Sequence, residues 1–366
     1  MFAGFLSLLF LLVSLGDLGL HQDCSLTGNA NFRLEIVAEK TLLGTSGEVA
    51  VQLDDGLQGF YVADRKDKRV GRIGWEREGQ LEWVLLDKTN CSSPLQPIEV
   101  MRVLGKWPYV IVLYCDTVVL LDKITLTPVR TFNPNPREWV FSIATSFDGQ
   151  FIATGSRKET EREDRVRVLR TMDSSIVAEW QGSMLSLQFM PDGQHLATVF
   201  ARNPDSSALR ATDCGVAIYE VSSGKKVVEW TRSTTDPPCP ESLFALPPDT
   251  SGRLISKNFY QGGMAVWEAK TGRLVRRLAG GGGRVPQWIS ISHDGRFAGA
   301  DLIRPEDNNG PRYELIVWNI EDGRVVYAVP ADGCGDPILD AQFSSQGNYL
   351  AVARATSIQL YRYSPD

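Results

Sequence analysis

Apolar and polar residues alternate strictly along short stretches of the chain. Leu185, Leu187 and Phe189 share one parity against Ser186 and Gln188, and Leu339, Ala341 and Phe343 repeat the pattern against Asp340 and Gln342. A period of two is that of a half-buried β-strand. A tight turn and a second strand follow each stretch. The turn recurs as Asp148-Gly149-Gln150, Asp192-Gly193-Gln194, Ser251-Gly252-Arg253, Asp294-Gly295-Arg296 and Gln346-Gly347-Asn348, with its glycines 44, 59, 43 and 52 residues apart. These spacings lie in and above the roughly 40 to 50 residues of a propeller blade. A second turn, five residues beyond an aromatic, runs Tyr219 to Gly224, Trp267 to Gly272 and Trp318 to Gly323, with an earlier, shorter copy from Trp75 to Gly79. Glycine suits it because such hairpin turns take positive φ. A fourth strand comes next, as in Lys226 to Trp230, Leu274 to Leu278 and Val325 to Val329.

Lettering the strands a to d from the axis outward predicts blades at 48–88, 96–133, 138–181, 184–232, 241–279 and 286–330. The last segment, 337–363, has only three strands. An orphan strand at Phe32 to Leu42 resembles an outer strand such as Lys226 to Arg232. Paired with Ile358 to Tyr363, it would complete seven four-stranded antiparallel blades and leave no open gap in the ring. The expected fold is therefore an all-β, seven-bladed β-propeller closed by its N-terminal strand.

The Asp-Gly turns together with Val266-Trp267 and Val317-Trp318 resemble the WD40-like seven-bladed propellers over roughly 32–363. The resemblance implies a ring scaffold and a leaning toward binding. No tryptophan is followed by Asp and no histidine by a preceding Gly, so that family's Asp-His hydrogen-bond network is not carried over.

Residues 1–22 carry an apolar run from Phe2 to Leu15 and read as a signal peptide, the run being shorter than the roughly 20 residues of a spanning helix. Residues 23–366 then form one domain, expected to be secreted or periplasmic and without a membrane span after cleavage. Bulky, polar residues before Cys24 argue against a lipid anchor there. The net charge of −6 and the absence of a long charge block give no footprint for nucleic acid.

Six cysteines in an exported chain favour disulfides and allow 15 pairings. The blade map places Cys214, in the b-to-c loop of blade 4, near Cys239 in the next d-to-a segment, and Cys91 near Cys115. The pairs Cys91–Cys115 and Cys214–Cys239 are predicted, each stapling a loop by about 2 to 4 kcal/mol. Cys24 and Cys334 either bridge the terminus to a loop or stay unpaired.

Most length variation falls in the b-to-c connections, which share one end of a propeller with the d-to-a connections. Long loops on a rigid scaffold are where binding resides. The candidate binding face comprises Arg137, Trp139, Arg157, Glu161, Arg165, Arg202, Arg284, Trp288, Arg304, Asp307 and Arg312. Trp139 and Trp288 are placed at or just before the inner strands of blades 3 and 6, beside Arg137 and Arg284, where a rim of Trp and Arg would suit a partner. Packing between blades is the competing reading. Arg157 to Arg165 mixes both charge signs, as a solvated hairpin tip or a polar contact patch would.

Catalytic signals are poor. His195, in strand b of blade 4, and His293, in the tight turn before Asp294, fall far apart, and Gly280 to Gly283 lacks the Lys-Ser or Lys-Thr of a phosphate loop. Asp301 and Glu306 to Gly310 are oxygen-rich enough to suggest calcium but lack a ligand loop's alternate spacing. The function expected is a non-catalytic, cofactor-free module that binds a protein or envelope component. The alternative is a metal- or quinone-dependent propeller enzyme of hydrolase, lactonase or dehydrogenase type, with Asp301, Asp307, Glu161 and Asp236 as its only nominable carboxylates.

Overall fold

The computed structural model describes residues 32–41, 49–53, 59–64, 69–74, 82–85, 98–103, 108–114, 117–133, 138–157, 164–181, 186–201, 214–232, 242–246, 252–257, 263–278, 285–303, 313–329, 338–344, 348–354 and 357–365. They form 28 strands. The first, β1 (Phe32–Thr41), stands apart from the strands that follow it in the chain. Sheet 1 is β2 (Val49–Leu53), β3 (Gly59–Asp64), β4 (Arg69–Gly74) and β5 (Glu82–Leu85). Sheet 2 is β6 (Ile98–Val103), β7 (Tyr109–Tyr114), β8 (Thr117–Asp122) and β9 (Pro128–Phe132). Sheet 3 is β10 (Trp139–Thr145), β11 (Phe151–Arg157), β12 (Arg165–Arg170) and β13 (Ile176–Gln181). Sheet 4 is β14 (Ser186–Phe189), β15 (His195–Ala201), β16 (Cys214–Glu220) and β17 (Lys226–Arg232). Sheet 5 is β18 (Ser242–Ala245), β19 (Arg253–Lys257), β20 (Met264–Glu268) and β21 (Leu274–Leu278). Sheet 6 is β22 (Val285–Ile291), β23 (Phe297–Ile303), β24 (Tyr313–Asn319) and β25 (Val325–Val329). Sheet 7 is β26 (Ile338–Phe343), β27 (Tyr349–Arg354) and β28 (Ser357–Pro365), with β1 antiparallel along the outer edge of β28.

Each sheet packs face to face on the next, and the apolar parity of its strands supplies the contact. Ile111, Leu113 and Leu120 of sheet 2 meet Val140 and Ile152 of sheet 3. Val166 and Val168 meet Leu187 and Phe189 of sheet 4, and Val216 and Trp230 meet Leu254 and Trp267 of sheet 5. The series continues through Ile255 and Val266 against Ala298 and Ile316, then Phe297 and Tyr327 against Phe343 and Tyr361. Ala351 and Ile358 of sheet 7 return to Phe60 and Val62 of sheet 1, and the Tyr61 hydroxyl donates to the Lys123 carbonyl of sheet 2 at 3.0 Å. Both inner faces of every sheet are thus covered, which is why strands such as β3 and β8 are apolar almost throughout.

The tight turns are built by their side chains. Asp148 Oδ1 accepts from Ser146 Oγ at 2.6 Å and from the Gln150 N–H, while the Phe151 N–H donates to Ser146 Oγ. Ser292, Asp294, Arg296 and Phe297 repeat the arrangement in sheet 6. In the second turn, the N–H at the positive-φ position returns to the carbonyl four residues back. Gly224, Gly272 and Gly323 hold that position in sheets 4 to 6, but Leu126 and Ser174 hold it in sheets 2 and 3, at φ of 54° and 60°.

A further regularity lies in the outer strands. Val129, Val177, Val227, Val275 and Val326 each sit at a one-residue register shift against the neighbouring strand, and Val37 of β1 does the same against β28. Such bulges twist an edge strand away from pairing with another chain. Val37 therefore marks β1 as the fourth strand of sheet 7.

Candidate binding surface

Because every sheet is a simple antiparallel a-b-c-d order, all b-to-c and d-to-a connections emerge at one end and the tight turns at the other. Arg137, Glu161, Arg202, Arg284, Arg304, Asp307 and Arg312 lie outside the described residues, as do Asp236 and the cysteines at 24, 91, 115, 239 and 334. The remaining candidates are placed. Trp139 opens β10 and pairs with Arg157 at the end of β11, and Arg165 opens β12 opposite Ser156. These three candidates meet at the loop-bearing end of sheet 3. Trp288 is not at a strand start as expected but inside β22, within the irregularity between Pro286 and Ile289, because β22 begins three residues earlier. Cys214 is likewise not a loop residue. It opens β16 opposite Ala201 and Arg232, is fully buried, and is disulfide-bonded.

The loop end of sheet 3 carries a network of charges that the sequence reading did not find. Glu138, buried just before β10, accepts the Ser156 hydroxyl at 2.5 Å and lies 3.3 Å from Arg165 and 3.6 Å from Arg167. Arg167 Nε donates to Glu179 at 2.7 Å, and Arg165 approaches the same carboxylate at 3.6 Å. Strand alternation explains the gathering. Ser156 and Thr154 stand opposite Arg165 and Arg167, so both arginines share the face of β11 that also bears Ile152, which packs on sheet 2. Beside them, Arg157 Nε donates to the buried Asp164 at 2.5 Å. That pair and the Ser156–Arg165 register close the neck of the 158–163 connection. Three arginines and three carboxylates balance, so the network is a neutral clamp. It holds the strand ends that flank 134–137 and 158–163.

The histidines sit at the opposite end. His195 Nδ1 is 2.7 Å from Asp192 Oδ2, and His293 occupies the exposed turn before Asp294. Turn carboxylates there are tuned by local donors. Asp122 is lowered below its ordinary value chiefly by the Thr125 N–H, and Asp173 by the Ser175 hydroxyl. Among the described residues no group of three or more His, Cys, Asp and Glu could hold a metal ion. Among the same residues no helix is long and apolar enough to cross a membrane.

The family model described as WD domain, G-beta repeat matches residues 126–160. The stretch runs through β9, β10 and β11, so it begins in the outer strand of one sheet and continues into the next, the same offset by which β1 serves sheet 7. No curated protein matches the chain in sequence. Among solved structures, a chain of the mitotic checkpoint complex aligns at a TM-score of 0.63 and 14% identity, over 90% of this chain and 94% of its own. The Cps50 (Swd1) β-propeller domain of Myceliophteria thermophila aligns at 0.65 and 10% identity, over 90% and 99%. At such identities the likeness is one of fold. With the stacked four-stranded sheets, it shows a β-propeller fold, in which the stretch 126–160 is similar to a WD40 repeat.

Proposed function

We propose that this chain is an exported, closed seven-bladed ring that binds a protein or envelope component through its loop-bearing end and carries out no chemistry itself. The observation that carries the reading is the Glu138 clamp, which locks the loop-bearing end of sheet 3, where Trp139, Arg157 and Arg165 hold adjacent strand positions. Trp and Arg together are the composition of a protein-binding hot spot. WD40 propellers commonly serve as interaction scaffolds, and one fold relative is itself part of a complex. On this reading residues 1–22 are a cleaved signal peptide, and the chain is secreted or periplasmic, without a membrane span, lipid anchor, cofactor or nucleic-acid partner. The disulfide at Cys214 supports an oxidising compartment. Cys239 is its proposed partner, and Cys91 with Cys115 the second pair.

The test is quantitative affinity purification from the native source with the wild-type chain and with Trp139→Ala. Thermal melting serves as the control for folding. The reading expects at least a tenfold loss of a specific partner at an unchanged melting temperature. An identical recovered profile would overturn it.

A further inference from the structure

Between sheets 4 and 5, at the tight-turn end, lies a cavity of about 550 Å³. Met190, Ile218, Val227 and Val228 of sheet 4 supply apolar walls, and Ala269 closes the sheet 5 side. Gly252 also lines it, and a side chain there would meet nothing within 4 Å, so the mouth is open on that flank. Three polar groups stand at the cavity: Asp192, His195 and Lys270. Asp192 is already committed, accepting the Gln194 and His195 N–H groups at Oδ1 and the His195 ring at Oδ2. A carboxylate only accepts, so the imidazole donates from Nδ1, and Nε2 is the ring's second polar atom. Lys270 is exposed and has no acidic partner among the described residues.

A volume in the range of about 300 to 1,000 Å³, mostly apolar and with a few placed polar groups, is that of a ligand site. We propose that the cavity takes the bulky apolar side chain of a peptide whose neighbouring residue is acidic. The apolar side chain fills the space walled by Met190, Ile218 and Val228. Its neighbour's carboxylate meets the Lys270 ammonium, and a backbone polar group of the peptide meets His195 Nε2. The bulge at Val227 interrupts the edge of β17 beside the cavity. A peptide therefore inserts a side chain here in place of adding a strand. Val227, 48% exposed, forms the lip. The site lies at the opposite end from the loops and does not depend on the function proposed for them.

Heptapeptide display on the full chain tests this directly. Enriched peptides should share a bulky apolar residue next to Asp or Glu. They should bind Lys270→Glu at least tenfold more weakly than wild type and lose binding to Val227→Asp, while Trp139→Ala binds normally. Both turn-end variants alter exposed side chains, and Lys270→Gln provides a milder second reading with the same direction of effect. Failure to enrich any peptide, peptides lacking that pair, or binding unchanged in the Lys270 variants would overturn the proposal. So would 3-phenylpropionate binding at the cavity as tightly as the best peptide, since the ligand would then be a small acid.

Discussion

Glu138 and Ser156 are joined by a buried hydrogen bond from hydroxyl to carboxylate, across the two innermost strands of sheet 3. The same carboxylate is the buried counter-charge to Arg165 and Arg167. Removing one member of a buried ionic network leaves the others desolvated, which costs about 3 to 5 kcal/mol. Glu138→Ala is expected to lose about that much in urea unfolding. Glu138→Gln, which can still accept from Ser156, should lose less. Equal losses would mean that the charge is immaterial.

Ser174 occupies a left-handed backbone position that Gly224, Gly272 and Gly323 hold in the equivalent turns. A side chain there costs about 1 kcal/mol or more. Ser174→Gly is therefore expected to stabilise the protein by about 0.5 to 1 kcal/mol, once the added freedom of glycine in the unfolded chain is counted. Leu126 shares the conformation but is buried, so Leu126→Gly should destabilise instead. Paired thermal melts of the two variants check the opposite signs.

Deleting residues through Thr41 would strip β28 of a partner to which it is matched along nearly its whole length. With nine paired positions and a net of about 0.5 to 1.5 kcal/mol for each hydrogen bond, the loss should reach about 5 kcal/mol. The bared edge should also promote association. Size-exclusion chromatography and a melting curve measure both effects, and an unchanged monomer would show that β1 does not fasten the ring.

Tyr327, Tyr361 and Tyr363 lie together between sheets 6 and 7, and burial raises the phenols of all three. A group whose folded value is raised contributes stability that is complete below its unfolded value. That contribution is lost as pH climbs from the ordinary phenol value of 10.0 toward the folded one. Above pH 10 stability should fall by at most about 1.4 kcal/mol per pH unit for each tyrosine. Tyrosinate absorbance should then rise together with unfolding in alkaline titration. Ionisation that precedes unfolding would contradict this.

Much of the fold was legible because strand alternation and Asp-Gly turns are local signals. The role of β1 was read from its isolation. A sharper sign was present, since Ile36-Val37-Ala38-Glu39 recurs as Ile176-Val177-Ala178-Glu179 at the same bulge of β13. The second turns of sheets 2 and 3 went unread because Leu126 and Ser174 replace the expected glycine, and only tertiary context holds them at positive φ. The Glu138 clamp was illegible for another reason. Glu138, Ser156, Arg165, Arg167 and Glu179 come from five places whose approach depends on strand register and on which face turns to sheet 2. Composition identified a mixed-charge stretch from Arg157 to Arg165, but it could not show that its two ends were locked together.

On the proposed function, partners dock at the loop-bearing end of sheet 3. A photo-crosslinking amino acid at position 139, compared with one at position 124 on the exposed turn of sheet 2, tests it most directly. Illumination in the native extract should give a discrete protein adduct from position 139 and none from position 124. Adducts from position 124 alone, or none from position 139, would contradict the account.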